Sequence, residues 1–341
     1  MLHVAVDAFN LSIDRRGMGR YARAVLETLS TSDDLAVSLI VRRRADFENV
    51  TAAENHNLAC ATLGQARRTG FDVTWYPWNG MRFALDGPSV ATIHDAFAFG
   101  YPHPNPVARW REQAPIRRAV QRASVLTTVS QFSAGRIAEQ FGFESGALTI
   151  ASPVPEPFWR PVPSRPSPTY MLFIAGPEAR KNAAVLFCAF AAAFPDGRVQ
   201  LRIAGRLSPS DERELRRLGI FHARLFPDDS QLRDLYAGAI AVLVPSREEG
   251  YGLPAVEAMA CGAPVIAADS GGLPEACDGA ALLIDPDSVV AWEAALRLLA
   301  DDAELRKRLA QRSLARAARI DRAAPGRVIA ECLRRAAAVA R

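Results

Sequence analysis

The sequence predicts an α/β protein built of two Rossmann-like halves, and three observations carry that reading. Short apolar runs rich in Val, Ile and Leu alternate with longer amphipathic stretches along the chain, the pattern of parallel sheets covered by helices on both faces. The 341 residues exceed the roughly 250 to 300 beyond which a single hydrophobic core stops growing. Midway, seven prolines fall between Pro153 and Pro168. Proline lacks the N–H a central strand needs and breaks a helix, so this segment reads as a semi-rigid connection between domains.

In the first half the strand candidates are His3 to Val6, Val37 to Val41, Asp72 to Tyr76, Val90 to Ile93 and Val125 to Val129. The rhythm restarts in the second half with Met171 to Ala175, Gln200 to Ala204, Ala223 to Phe226, Ala241 to Val244, Val265 to Ala268 and Ala281 to Ile284. The last stretch, Ala324 to Arg341, places Ile329, Cys332, Leu333 and Ala336 on one helical face. The expected divisions are residues 1–160, 161–320 and a final helix over 321–341. Ligand sites in such sheets lie beyond the carboxyl ends of the strands, and two halves joined by a linker would hold a cleft between them.

Composition excludes several classes. At 49% hydrophobic and 23% charged the chain is an ordinary globular one. No window approaches the roughly 18 to 20 unbroken apolar residues of a membrane span. The start lacks a basic segment ahead of its apolar stretch, so no signal peptide is read and a cytoplasmic location is expected. Five widely spaced cysteines without a C-x-x-C pair argue against a disulfide framework or a zinc site. A net charge of +4 is too small and too dispersed to mark a nucleic-acid binder. Only Lys181 and Lys307 are lysine among 41 basic residues.

The most informative segment runs from Val244 to Pro286. A buried-type strand ends at Pro245, a loop with Gly250 and Gly252 follows, and Pro254 opens a short helix that Gly262 stops. Glycines ahead of a helix N-terminus let backbone N–H groups approach an anion, so a phosphate fits there. Glu249 and Glu257, eight residues apart, offer carboxylates that accept hydrogen bonds from sugar hydroxyls.

This stretch, PSREEGYGLPAVEAMACGAPVIAADSGGLPE, resembles the donor-site signature of glycosyltransferase family 4, the retaining group 1 enzymes of GT-B fold. Among them it is similar to bacterial mannosyl- and hexosyltransferases of surface polysaccharide assembly. The likeness covers about 40 residues, through the turn Cys277-Asp278-Gly279-Ala280. The resemblance implies a two-domain GT-B fold with a cleft between the domains and a last helix crossing back to the first. It also implies that Glu257 binds the ribose, that Glu249 contacts the transferred sugar, and that Gly250, Tyr251, Gly252 and Leu253 meet the diphosphate and sugar through their backbone.

YMLFIAGPEARKN is similar to the family's strand, loop and R-K-N helix start. Lys181 would then reach the pyrophosphate, a compact charge where the leaving group departs. Many relatives carry an arginine after the strand's glycine, where this chain has Pro177; Arg180 or Arg206 would supply that contact, and Asn182 is expected to cap the helix. The base would lie against a loop such as Leu225 to Pro227, with Phe226 in it. SVATIHDAFAFG ends a strand on His94, similar to the family's histidine beside the reacting sugar, where it would hydrogen-bond a hydroxyl or shape the acceptor pocket. Gly17 and Gly19 in DRRGMGRYA resemble the family's G-I-G-R-Y, placed toward the donor phosphates and acceptor.

The same loop satisfies G-x-G-x-x-A, and Arg42, Arg43 and Arg44 stand where a 2′-phosphate reader of NADP could lie. The fingerprint should follow its strand at once, however, and here Ala8 to Arg16 intervene. Asp285-Pro286-Asp287 forms a D-x-D, but at a strand end outside the proposed phosphate site, so no metal is expected. Between Ala108 and Ala123, Arg109, Arg111, Arg117, Arg118 and Arg122 stand against one acid, Glu112, and from Pro115 onward Ile116, Ala119, Val120 and Ala123 recur at helical spacing opposite the arginines, a pattern that can hold a peripheral enzyme on the anionic inner face of the cytoplasmic membrane.

The sequence therefore predicts hexose transfer, of mannose or glucose type, from a nucleotide diphosphate sugar to a hydroxyl of a glycan or lipid-linked acceptor, without metal or other cofactor. Glu249, His94 and Lys181 are the expected catalytic residues. A sugar-nucleotide epimerase of the same fold and a silent nucleotide-sugar binding protein remain open readings.

Overall fold

A computed structural model describes residues 1–14, 17–51, 58–163 and 169–339; residues 164–168 of the proline-rich connection lie outside them. The chain divides into two compact units, Met1–Val154 with Arg322–Arg341, and Pro155–Asp321.

The first unit is built on β1 (Leu2–Asp7), β2 (Leu35–Val41), β3 (Leu58–Thr62), β4 (Val73–Tyr76), β5 (Ser89–Thr92), β6 (Val125–Thr128) and β7 (Thr149–Ile150). Their order is β3-β2-β1-β4-β5-β6-β7, every pair parallel. The pleat sends alternate residues to opposite faces: Val4 and Val6 join one buried cluster and Ala5 the other. The helix Ala324–Val339 belongs to this unit, with Ile329, Cys332, Leu333 and Ala336 packed into the cluster that holds Val4 and Trp75. Sequence periodicity missed two strands. β3 reads Leu-Ala-Cys-Ala-Thr, too poor in β-branched residues to stand out, and β7 has only two residues.

The second unit holds β8 (Tyr170–Ile174), β9 (Gln200–Ala204), β10 (His222–Leu225), β11 (Ala241–Val244), β12 (Val265–Ala268) and β13 (Leu282–Ile284). Their order is β10-β9-β8-β11-β12-β13, again all parallel. Each sequence-predicted strand of this half is present to within a residue at either end. The unit begins six residues earlier than expected because Trp159 is buried in its core, edge-on to Tyr236 with ring centroids 5.6 Å apart. In this sheet β8 and β11 are neighbours while the chain passes from one to the other through the outer strands β9 and β10. That makes the β8/β11 junction the point where strand order reverses, and the loops leaving both strands open there.

Candidate active site

Two loops meet at that junction. After β8, a tight turn leads into the single 3₁₀ turn Ala179–Lys181. A Cβ on Gly176 would meet the Glu178 carboxylate and stand 3.2 Å from Lys181 Cγ, so a larger residue there would make both side chains shift. Asn182 follows in the left-handed region, φ 57°. Its side chain does not cap the next helix, contrary to the sequence expectation. Nδ2 instead donates to the carbonyls of Pro245 at 3.1 Å and Pro286 at 2.7 Å, and Oδ1 is buried without a partner. The positive φ explains this: it swings the side chain away from the helix N–H groups and toward the loops after β11 and β13.

The loop after β11 carries Ser246 to Gly252, and here the charges converge. Glu249 Oε1 accepts from Lys181 Nζ at 2.6 Å and from Ser246 Oγ at 2.8 Å, while Oε2 accepts from Arg180 Nη1 at 3.3 Å. Arg180 also donates to the Glu248 carbonyl at 3.1 Å, and Arg247 N donates to the Arg180 carbonyl at 2.8 Å. The three charged side chains are 11 to 17% exposed. Burial alone would raise the Glu249 carboxyl, but the charges of Lys181 and Arg180 and the hydrogen bonds from Lys181 and Ser246 outweigh it and hold the group below its ordinary range. Glu249 is thus a buried carboxylate kept ionised by its partners.

A third segment props this loop. Gly272 N donates to the Glu249 carbonyl at 2.8 Å and Ser270 Oγ donates to the Arg247 carbonyl. Gly271 has φ +64°, and a Cβ there would lie 2.8 Å from Glu249 N. Gly252, φ +118°, precedes the helix Leu253–Ala260, which Gly262, φ +81°, follows. Glu257 sits on that helix, 2% exposed. The turn Cys277 to Ala280 is present too, closed by Ala280 N to the Cys277 carbonyl at 2.9 Å, with Asp278 at φ 46° paired to Arg319 at 3.0 Å.

This geometry has parallels in known proteins. Residues 156–316 match the family described as glycosyl transferases group 1. The chain is 30% identical to the O-antigen chain mannosyltransferase B of Escherichia coli, over 88% of this chain and 91% of that one. It is 29% identical to the MMP alpha-(1->4)-mannosyltransferase of Mycolicibacterium hassiacum, over 80% and 66%. Among solved structures it resembles Anabaena HepE, solved with UDP and glucose, at TM-score 0.74 and 16% identity over 98% and 100% of the two chains. It also resembles WaaG, a glycosyltransferase involved in lipopolysaccharide biosynthesis, at TM-score 0.73 and 15% identity over 98% and 99%.

The chain belongs to the group 1 glycosyltransferases. Its fold is GT-B, with two parallel-sheet Rossmann-like domains, which disposes of the NADP reading of Gly17 to Ala22. Consistent with that, Arg42 is engaged with Asn10 at 3.1 Å and lies over the Phe9 ring.

The remaining sequence-predicted residues of this transferase divide as follows. Of the two candidates for the missing arginine, Arg180 joins Glu249, whereas Arg206 is exposed. Phe226 is 69% exposed with Arg224 5.9 Å from its ring. The Tyr251 side chain is buried toward Arg316, Glu275 and Cys277, leaving only its backbone to the loop. Asp285 and Asp287 form a turn in which Asp285 Oδ1 accepts from Asp287 N at 2.9 Å and Asp287 pairs with Arg247 at 2.7 Å. Among the described residues no group of three or more His, Cys, Asp or Glu side chains could hold a metal ion.

In the first unit, Gly17 opens the helix Gly17–Ser30, and a Cβ on Gly19 would collide with the Asp14 carbonyl. His94 is 7% exposed beyond β5. Its Nε2 lies 2.8 Å from the Pro77 carbonyl; a carbonyl only accepts, so Nε2 carries the proton and Nδ1 is left as an acceptor. Tyr21 stands edge-on to the ring at 5.0 Å. Burial pushes the imidazole down to about 4, against the Pro77 bond and the Asp14 charge, so it is neutral near pH 7.

Sequence reasoning missed Ser246, the Asn182 tie and the Gly271-Gly272 prop. The tripeptide Ser270-Gly271-Gly272 was visible, and a pair of glycines ahead of a helix with proline in its first turn signals close backbone approach.

Proposed function

We propose that this transferase moves a hexose from a nucleotide diphosphate sugar to an acceptor hydroxyl with retention of configuration. The observation that carries this is the pairing of two cations with one buried carboxylate at the β8/β11 junction. Lys181 and Arg180 neutralise the diphosphate as the sugar–oxygen bond breaks and its electrons pass to the leaving phosphate. A diphosphate competes with Glu249 for these cations. As they turn to phosphate, the Glu249 oxygens are released to accept from hydroxyls of the transferred sugar, and Ser246 keeps the carboxylate in place. Glu257 binds the ribose hydroxyls, the Gly250 to Leu253 backbone meets the phosphates, Gly17 and Gly19 meet phosphate or acceptor, and Phe226 lies against the base.

The acceptor oxygen forms the new bond on the face from which the phosphate leaves, and its proton passes to the departing phosphate oxygen. Charge neutralisation comes from side chains, so no metal is required. His94, neutral, serves as a hydrogen-bond acceptor through Nδ1 for a hydroxyl on the acceptor side. The two mannosyltransferase relatives make mannose the first sugar to test, with a glycan or lipid-linked acceptor.

A peripheral, cytoplasmic-face membrane association is part of the same proposal. Trp110, Val107 and Tyr101 are 67%, 59% and 45% exposed near Arg109 and Arg111 on the Pro106–Arg122 helix and its approach, an aromatic and basic pairing suited to an anionic lipid surface. Arg117 and Arg122 are exposed as well, whereas Arg118 is drawn inward. Arg118 donates to the Met81 and Arg82 carbonyls and Arg117 lies over Phe99 at 4.9 Å, while Arg122 ends the helix. Among the described residues no helix is long and apolar enough to cross a membrane.

The test is nucleotide release from GDP-mannose, UDP-glucose and their relatives. Release that needs an added acceptor, with a retained anomeric centre in the product, is the expected result. Epimerised donor, or binding without turnover, would overturn the proposal.

A further inference from the structure

Arg44, singled out in the sequence and left unused by the reaction, lines a cavity of about 320 Å³ in the first unit. The cavity stands at the carboxyl ends of β2 and β3, where Val41 and Thr62 are register partners, the sheet end at which α/β folds place ligands. Its lining is Val41, Arg44, Cys60, Thr62, Gln65 and Arg68. A reciprocal capping box sets the last two. Gln65 N donates to Thr62 Oγ1 at 3.4 Å and Gln65 Oε1 accepts from Thr62 N at 2.9 Å, which starts the helix Leu63–Thr69 and puts Gln65 and Arg68 three apart on one face.

The chemistry of this lining is one-sided. Gln65 Oε1 is also occupied by the Thr62 hydroxyl at 2.9 Å, which leaves the Gln65 amide N–H groups as its unused capacity. Arg44 and Arg68 are exposed and form no ion pair among the described residues. The unused side-chain capacity of the lining is therefore largely that of donors, two of them permanent cations, and none of the six lining residues is a carboxylate. Guanidinium pairs of this kind match phosphate and pyrophosphate oxygens.

We propose that this cavity binds a phosphate or pyrophosphate group of the acceptor, separate from the donor diphosphate site on the second unit. The inference rests on the transferase reading for the word acceptor, but not for the anion itself. A phosphorylated sugar and a polyprenyl pyrophosphate-linked glycan share this chemistry.

Cys60 supplies a reporter that needs no turnover. It is half-buried in the lining, and the cysteines outside the cavity are peptide-resolved by mass spectrometry. Alkylation of Cys60 by N-ethylmaleimide is measured in the whole protein with inorganic pyrophosphate, with mannose 6-phosphate, and with phosphatidylcholine vesicles carrying polyprenyl pyrophosphate. At least one probe is expected to slow labelling several-fold, and which one does so distinguishes the soluble from the lipid source. Arg44→Gln with Arg68→Gln is expected to abolish the protection while leaving the thermal shift produced by a nucleoside diphosphate unchanged. No protection by any probe, or protection that survives the double substitution, would overturn the proposal. Loss of the nucleotide shift in the wild type would instead count against the donor site on the second unit and leave the labelling result to stand alone.

Discussion

The two units share a strand order, 3-2-1-4-5-6, yet they treat buried ionisable groups at their strand ends in opposite ways. In the second unit Glu249 is buried and charged, because Lys181, Arg180 and Ser246 supply more than desolvation removes. In the first unit Asp7, the last residue of the central strand β1, is fully buried with Oδ2 unpartnered. Burial raises it to about 6, against the Phe9 N–H and the charges of Arg82 and Arg42. His94 in the same unit is driven to about 4 by burial. The lesson is that one scaffold holds a buried carboxylate below its ordinary range where counter-ions are supplied in contact, and lets burial shift groups toward their neutral forms, Asp7 up to about 6 and His94 down to about 4, where they are not. Charge stored in the second unit suits a reaction that expels diphosphate. His94, uncharged near pH 7, suits hydroxyl recognition in the first.

The largest expected effect breaks the charged half of that contrast. Glu249→Ala removes the carboxylate that three side chains share, and kcat should fall by about 10² to 10³. Near-normal rates would detach the cluster from catalysis. Close behind comes the half that burial shifts toward neutrality, read through stability. Asp7 binds its proton more tightly when folded, so it costs nothing below pH 3.8 and destabilises increasingly as pH rises through about 6, by about 3 kcal/mol at the plateau. Asp7→Asn should therefore raise the unfolding free energy at pH 8 and not at pH 3.5. His94 has the opposite sign. Its folded value is depressed from 6.5 to about 4, so it costs nothing above 6.5 and destabilises by about 3 kcal/mol as pH falls through that window. His94→Gln should flatten the acid limb that Asp7→Asn steepens. Parallel curves for the two variants would show that burial does not shift these groups in opposite directions.

Lys181→Arg sharpens the comparison further. It keeps the charge but replaces a compact ammonium 2.6 Å from Glu249 with a planar fork. A loss of about 10-fold in kcat/KM is expected, and unchanged kinetics would show that the site does not distinguish ammonium from guanidinium. The smallest effect belongs to a pair with no part in either site. Arg334 bridges Asp34 at 2.8 and 3.0 Å on the surface, and Arg334→Ala should cost under about 1 kcal/mol in urea unfolding and nothing in rate.

The fold was legible where strands were apolar and β-branched, as in Ala241–Val244 and Val265–Ala268, and illegible in Leu58–Thr62, whose alanines and cysteine carry little strand signal. The loop and helix that carry Glu249, Gly250 and Glu257 were legible as structure because they are contiguous in sequence. Ser246, only three residues from Glu249, was adjacent but silent, since a lone serine after a proline has no distinctive signature. Asn182 illustrates the other limit. Its bond to Pro286 spans 104 residues, and its left-handed backbone turned a residue type suited to capping into a tie between loops.

The central claim is that the Lys181, Arg180 and Glu249 cluster receives a nucleoside diphosphate. Thermal unfolding with UDP, GDP, ADP, dTDP and NADPH tests it most directly, because ligand that binds the folded state raises stability by about 2.7 kcal/mol at 100 times its Kd. One or more of the nucleoside diphosphates should raise Tm in the wild type and fail to do so in Lys181→Ala. A shift with NADPH alone, or a nucleotide shift that Lys181→Ala retains in full, would contradict it.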